Sequence, residues 1–139
     1  MIIDRFDGKY AFLSNFYDSN IYDAEGNVYP TVEHYFQAMK TTDANLRKQI
    51  ATAETPGRAK RMGRRVDLRP DWQIIKIKVM REALIQKFSE PELRNQLIAT
   101  GDATLIEGNW WHDTFWGMCD GIGENHLGKL LMEIREELK

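Results

Sequence analysis

The stretch "NIYDAEGNVYPTVEHYFQAMK", Asn20 to Lys40, contains the point where the chain changes from one kind of secondary structure to another. Its first half reads as a β-hairpin. Ile21, Tyr22, Val28 and Tyr29 supply the flanking strands, and Gly26 and Asn27 supply the turn. Its second half reads as a helix, because Thr31 can cap the segment "VEHYFQAMK". The fold class turns on that changeover, from a β-rich beginning to a largely helical remainder.

At about 100° per residue, Val32, Tyr35, Phe36 and Met39 share the arc of this helix that should enter the core. Glu33, Gln37 and Lys40 fall on an adjoining arc roughly 60° wide. Two readings follow. One is a solvated face stabilised by weak side-chain pairs. The other is an acid, an amide and an amine rimming a cleft. A carboxyl group can protonate a leaving nitrogen or activate water. A lysine whose pKa is lowered by burial can attack an electrophilic carbon and form a Schiff base. Gln37 could orient a hydroxyl. Spacing alone leaves both readings open.

On either side of this stretch the signals are mixed. "IIDRF" and "YAFLSNFY" read as short strands or strand-loop segments. A second helix covers "DANLRKQIATA", and Thr55 followed by Pro56 opens "PGRAKRMGRR" with a cap and a first-turn proline. Asp71 can cap the long segment "WQIIKIKVMREALIQKF", and Pro91 opens "ELRNQLIAT". "ATLIEGN" reads as a strand and "WWHDTFWG" as strand leading into loop. Asn125 can cap a last helix in which Leu127, Leu130, Leu131, Ile134 and Leu138 form one core-facing stripe. The expectation is a single α+β domain over residues 1–139, mostly helical with a small β-sheet.

The totals agree with that expectation and exclude several classes. A chain of 139 residues can build one genuine core, and 42% hydrophobic with 29% charged residues is a globular balance, not a disordered one. The net charge of −2 does not describe a nucleic-acid coat protein. Cys119 is the single cysteine, so no internal disulfide is expected and a reducing compartment is the natural reading. The first residues do not read as a signal peptide, and no apolar run approaches a membrane span. A cytoplasmic protein with no membrane partner is therefore expected. His34, His112 and His126 are scattered, and neither a P-loop nor a G-x-S-x-G elbow occurs. Neither a metal nor a cofactor is expected, and nothing in the sequence bears on oligomeric state.

Four further segments carry candidate chemistry. Asn15, in "YAFLSNFY", has donor and acceptor capacity suited to a base edge or a ribose hydroxyl, although a polar turn explains it equally. "GRAKRMGRRVDLR" gathers Arg58, Lys60, Arg61, Arg64 and Arg65, whose guanidinium groups could grip a phosphate or form a solvated face. "EGNWWHDTFWGMCDG" sets Asp113 near Trp116, an acid beside a stacking ring, or else part of a structural tryptophan cluster. "GIGENHLG" places Gly121, Gly123 and Asn125 before a helix, where backbone N–H groups can receive an anion or simply make a cap.

Taken in chain order, "FLSNFY", "EHYFQAMK", "AKRMGRR", the Trp72-led helix, "LIEGNWWHDTFWG" and "GENHLGKLLMEIRE" resemble the NADAR, or YbiA-like, domain family from about Phe12 to Leu138. The resemblance implies an N-glycosidase that hydrolyses the bond between a ribose anomeric carbon and a nitrogen. Two substrate classes come with it: phosphoribosylamino-pyrimidine intermediates of riboflavin biosynthesis, and ADP-ribose on guanine bases of DNA or RNA. It also implies roles. Glu33 matches the family's catalytic glutamate, Lys40 its motif lysine, and Asp113 the acid of its "D-x-(F/Y)-W-G" segment. Asn15, Phe16, Trp72, Trp116, Gly123 and Asn125 match stacking and ribose-phosphate positions; Gln37, Arg61 and Arg64 join them as candidate substrate contacts. "NWWHD" departs from the commoner family pattern. A non-catalytic module binding ADP-ribose or a related nucleotide is the alternative.

Overall fold

The computed structural model describes all residues, 1–139, and divides into two compact units. One comprises Met1–Ser14 with Phe88–Lys139; the other is Asn15–Lys87.

The Asn15–Lys87 unit begins with the hairpin read from the sequence. Strands β2 (Asp18–Tyr22) and β3 (Val28–Thr31) pair antiparallel, with Ile21 opposite Tyr29 and Tyr22 opposite Val28. Their turn is organised by a side chain that the sequence reading passed over. The Asp23 carboxylate accepts from the backbone N–H groups of Glu25 and Asn27, from Asn27 Nδ2 and from the Tyr29 hydroxyl. Gly26 contributes its positive φ of 85°.

Four helices follow: α1 (Val32–Ala38), α2 (Ala44–Ala51), α3 (Pro56–Gly63) and α4 (Trp72–Lys87). Thr31 caps α1 by accepting from His34 N, and Thr55 caps α3 by accepting from Arg58 N ahead of Pro56. Asp71 does not act as the expected cap of α4, because its carboxylate pairs with the Arg69 guanidinium at 2.7 and 3.2 Å. Helix α1 packs against both hairpin strands and against α2, α3 and α4. Being surrounded, all seven of its residues are buried. His34 pins it from both ring nitrogens, Nδ1 lying 2.8 Å from Thr31 Oγ1 and Nε2 3.0 Å from the Ala53 carbonyl.

In the other unit, β1 (Ile2–Ile3) pairs parallel with β4 (Thr104–Leu105), Ile2 opposite Thr104. The small sheet expected from the sequence is thus two separate two-stranded ladders. "YAFLSNFY" is not a strand: residues Gly8–Leu13 form a 3-10 helix that buries Phe12 and Leu13. Helix α5 (Pro91–Ala99) and helix α6 (His126–Leu138) pack together; of the α6 stripe, Leu127, Leu130, Leu131 and Ile134 are buried, while Leu138 at its end is half-buried. Burying each such side chain contributes roughly 1.5–3 kcal/mol. Arg135 joins the stripe by donating to Thr100 Oγ1 and the Ala103 carbonyl, both at 2.9 Å. No helix of either unit is long and apolar enough to cross a membrane.

Candidate active site

The Asn15–Lys87 unit holds most of the candidate residues, and α1 brings three of them together. Glu33 and Gln37 lie one turn apart and are buried, with 9% and 4% of their surfaces exposed. That removes the solvated-face reading of this edge. The Gln37 amide nitrogen donates to Glu33 Oε2, so Gln37 orients the acid. The Glu33 backbone N–H donates to the Asn15 carbonyl at 3.1 Å, which fixes Asn15 beside the first turn of α1. Asn15 is itself buried, and its Nδ2 reaches only the sulfur of Met80 at 3.5 Å.

Two amide oxygens in this group, Asn15 Oδ1 and Gln37 Oε1, are buried without a hydrogen-bond partner. Buried polar atoms in folded proteins are nearly always paired, so an unpaired one needs a reason.

Lys40 follows α1 and is half-buried, with Nζ 5.8 Å from the centre of the Phe36 ring. Burial lowers its pKa from the ordinary lysine value, the Glu33 carboxylate raises it, and Arg64, Lys60 and Lys76 lower it again. Its backbone is tied down as well, since the Lys40 carbonyl accepts from Arg69 N at 2.9 Å. Arg64, just past α3, thus belongs to the electrostatic surroundings of Lys40, whereas Arg61 is an exposed side chain of α3. Phe16 is 45% exposed. Trp72 is not: it is 4% exposed and packs on Phe36 at 5.0 Å, a core residue where a stacking surface was expected.

The remaining candidates lie in the other unit, in the loop before α6. Asp113 organises its own turn. One carboxylate oxygen accepts from Phe115 N and Trp116 N, while Asn109 brackets its backbone from both sides. Trp116 is half-buried and edge-on to Phe115 at 4.9 Å. Gly123 has φ +150°, and a Cβ there would stand 2.2 Å from the Gly117 carbonyl oxygen. Asn125, left-handed at φ 53°, is the N-cap residue of α6 but makes no side-chain cap bond; its side chain accepts from Glu107 N and donates to the Leu105 carbonyl, both at 3.0 Å. The N–H groups of Asn125, His126 and Leu127 donate to the carbonyls of Gly117, Phe115 and Trp116. Gly123 and Asn125 thus help to hold the loop together.

Sequence reasoning also missed a titratable group. Lys87, at the end of α4, is fully buried, and burial pushes its pKa down to about 7. Its Nζ lies 5.7 Å from the centre of the Tyr17 ring. The signal was present in the periodicity, since Trp72, Val79, Met80, Ala83, Leu84 and Lys87 share the buried stripe of α4.

A buried acid held by an amide, beside a half-buried lysine among cations, is a constellation suited to acid–base and nucleophilic chemistry. The chain belongs to the NADAR domain family, whose model matches residues 3–139. It is 45% identical over 133 residues to the N-glycosidase YbiA of Shigella flexneri, covering 93% of this chain and 82% of that protein. A riboflavin biosynthesis protein of Vibrio vulnificus is 41% identical over 137 residues, 96% of this chain but only 37% of that longer protein. Among solved structures, the NMR structure of YbiA from Escherichia coli matches with a TM-score of 0.84 and 42% identity, covering 99% of this chain and 84% of that one. The α+β, mostly helical architecture is thus the YbiA-like fold.

Proposed function

We propose that this chain is an N-glycosidase that hydrolyses the bond between a ribose anomeric carbon and a nitrogen, with Glu33 and Lys40 as its reacting groups. The observation that carries the reading is the burial of α1 on every side with a carboxylate and two unpaired amide oxygens inside. Packing alone does not call for such groups. The relatives named N-glycosidase support the same enzyme class.

Cleavage needs a proton for the departing nitrogen and control of the positive charge that develops at the anomeric carbon. Glu33 delivers the proton. Lys40 Nζ attacks the anomeric carbon, the ribose ring opens, and the resulting Schiff base is resolved by water with Glu33 now accepting a proton. The lowered pKa of Lys40 increases its neutral, nucleophilic fraction. Asn15 Oδ1 accepts from a ribose hydroxyl, and the cations Lys60, Arg64 and Lys76 favour a substrate bearing phosphate.

Borohydride reduction during turnover should trap a covalent adduct on the wild-type enzyme and none on Lys40→Ala. An untrapped wild type would replace the Schiff base by direct attack of a water steered by Glu33. If Glu33→Gln turned over like wild type, the catalytic assignment of Glu33 would fail; a wild-type chain that binds ADP-ribose and cleaves neither substrate would instead be a nucleotide-binding module.

For the substrate, a phosphoribosylamino-pyrimidine has the support of the relatives named riboflavin biosynthesis proteins. A second reading has its own observation. Trp110 and Trp111 are 79% and 45% exposed with ring centres 5.5 Å apart, and bases of a single strand stack on such rings. That favours ADP-ribosyl-guanine in nucleic acid. A side-by-side assay on the two substrates decides, and Trp110→Ala should weaken only the nucleic-acid reaction.

A further inference from the structure

Gly63, the last residue of α3, faces Gln37 rather than solvent. A Cβ built on it would stand 1.9 Å from Gln37 Oε1, 2.8 Å from its Cδ and 2.9 Å from its Cβ. The backbone of Gly63 is not the reason for a glycine, because its φ is outside the left-handed region that glycine favours. The reason is space: the volume of any side chain at this position is already filled by the Gln37 amide.

We propose that Gly63 is a positioning residue for the reaction. Its bare Cα seats the carbonyl end of the Gln37 amide, which leaves the nitrogen end facing Glu33. Gln37 Oε1 has no conventional partner, so nothing else on that side holds the amide. The Nε2 donor then meets Glu33 Oε2 one turn earlier on α1. A methyl group at residue 63 must push the amide aside, and α1 gives it little room to move, since helices and the hairpin cover every face. The contact thus runs from α3 through Gln37 to the carboxylate, without Gly63 touching substrate. This inference rests on Glu33 being the acid–base group, and its test is chosen to be independent of that role.

The amide N–H stabilises the ionised carboxylate, so losing it raises the carboxyl pKa. Carbon-detected NMR of the Glu33 carboxyl should show a titration midpoint raised by about one pH unit in Gln37→Met, whose side chain has the same length and no donor. Gly63→Ala should raise it in the same direction, and the double variant should add nothing further. The charges around the site, Lys40 after α1, Lys60 and Arg64 of the α3 region and Lys76 of α4, are common to wild type and all three variants and cancel in the comparison. The acid limb of the kcat/KM profile should move with the midpoint. A role in packing alone would lower Tm and leave both unchanged, and a wild-type midpoint in folded Gly63→Ala overturns the proposal. Should Gly63→Ala not fold, Gln37→Ala in the same chain removes the closest clash and should restore folding; failure of that rescue, or an unmoved midpoint in Gln37→Met, also overturns it. Should Glu33→Gln retain wild-type turnover, the function assigned to the site falls while the titration still reports on the Gly63 contact.

Discussion

Two regions of this protein bury polar side chains, and they do so to different ends. In the loop before α6, Asn109, Asp113 and Asn125 bond the backbone of residues 105–116, and Asn109 also donates to the Glu107 carboxylate. Around α1, Glu33 and Gln37 bond each other, and Asn15 and Gln37 each keep an oxygen unpaired. A buried amide that bonds backbone stabilises the fold. One that keeps an unpaired oxygen costs about 1–3 kcal/mol, a cost that a bound ligand can offset. The contrast sets residues that build the molecule apart from those proposed to work in it, and Asn125 among the builders is as buried as Glu33.

The sharpest way to break the contrast is Glu33→Gln, which preserves shape. Turnover should fall by about 10²–10⁴-fold while Tm stays near wild type. A large loss of Tm with retained turnover would place α1 among the builders.

Lys87 tests whether a lowered lysine pKa is enough to mark a working residue. With a native pKa of about 7 against the ordinary 10.5, Lys87 is charged in both states below pH 7, and the native state bears the full cost of desolvation. Between pH 7 and about 10 the native group is neutral while the unfolded one stays charged, so stability rises with pH, by an amount on the order of 4 kcal/mol. Above pH 10 the raised hydroxyl pKa values of Tyr29 and Tyr35 act in the opposite sense, because the unfolded tyrosines ionise first. Urea unfolding across this range should show the rise in wild type and a flatter curve in Lys87→Met. A borohydride adduct on Lys87 in place of Lys40 would reverse their roles.

On the building side, Gly123→Ala should cost on the order of 3 kcal/mol, from a strained φ and a clash with backbone. Asn125→Ala should cost about 2 kcal/mol by leaving Glu107 N and the Leu105 carbonyl unpaired. Both are read by chemical denaturation, and the folded fraction of each should keep its KM. The smallest effect is that of Thr31→Ala, about 1 kcal/mol for the lost cap of α1.

What the sequence disclosed was local. The Thr31 and Thr55 caps, the hairpin and the leucine stripe of α6 all depend on residues within a few positions of each other, and all are present. Periodicity also placed Glu33, Gln37 and Lys40 on one edge, but an angle says nothing about what lies over it. That α2, α3, α4 and the hairpin cover α1 is information from distant parts of the chain. The same limit explains Asn125, whose partners at Leu105 and Glu107 lie about twenty positions earlier, and Trp72, whose ring is taken by Phe36. Lys87 was legible in the α4 stripe, where a lysine among apolar residues marks a buried cation.

A helix with no outside has a consequence for how such a protein can change. None of the seven residues of α1 faces water, so α1 offers no position at which drift is free. Diversity has to enter elsewhere, at exposed positions such as Ile74 and Trp110.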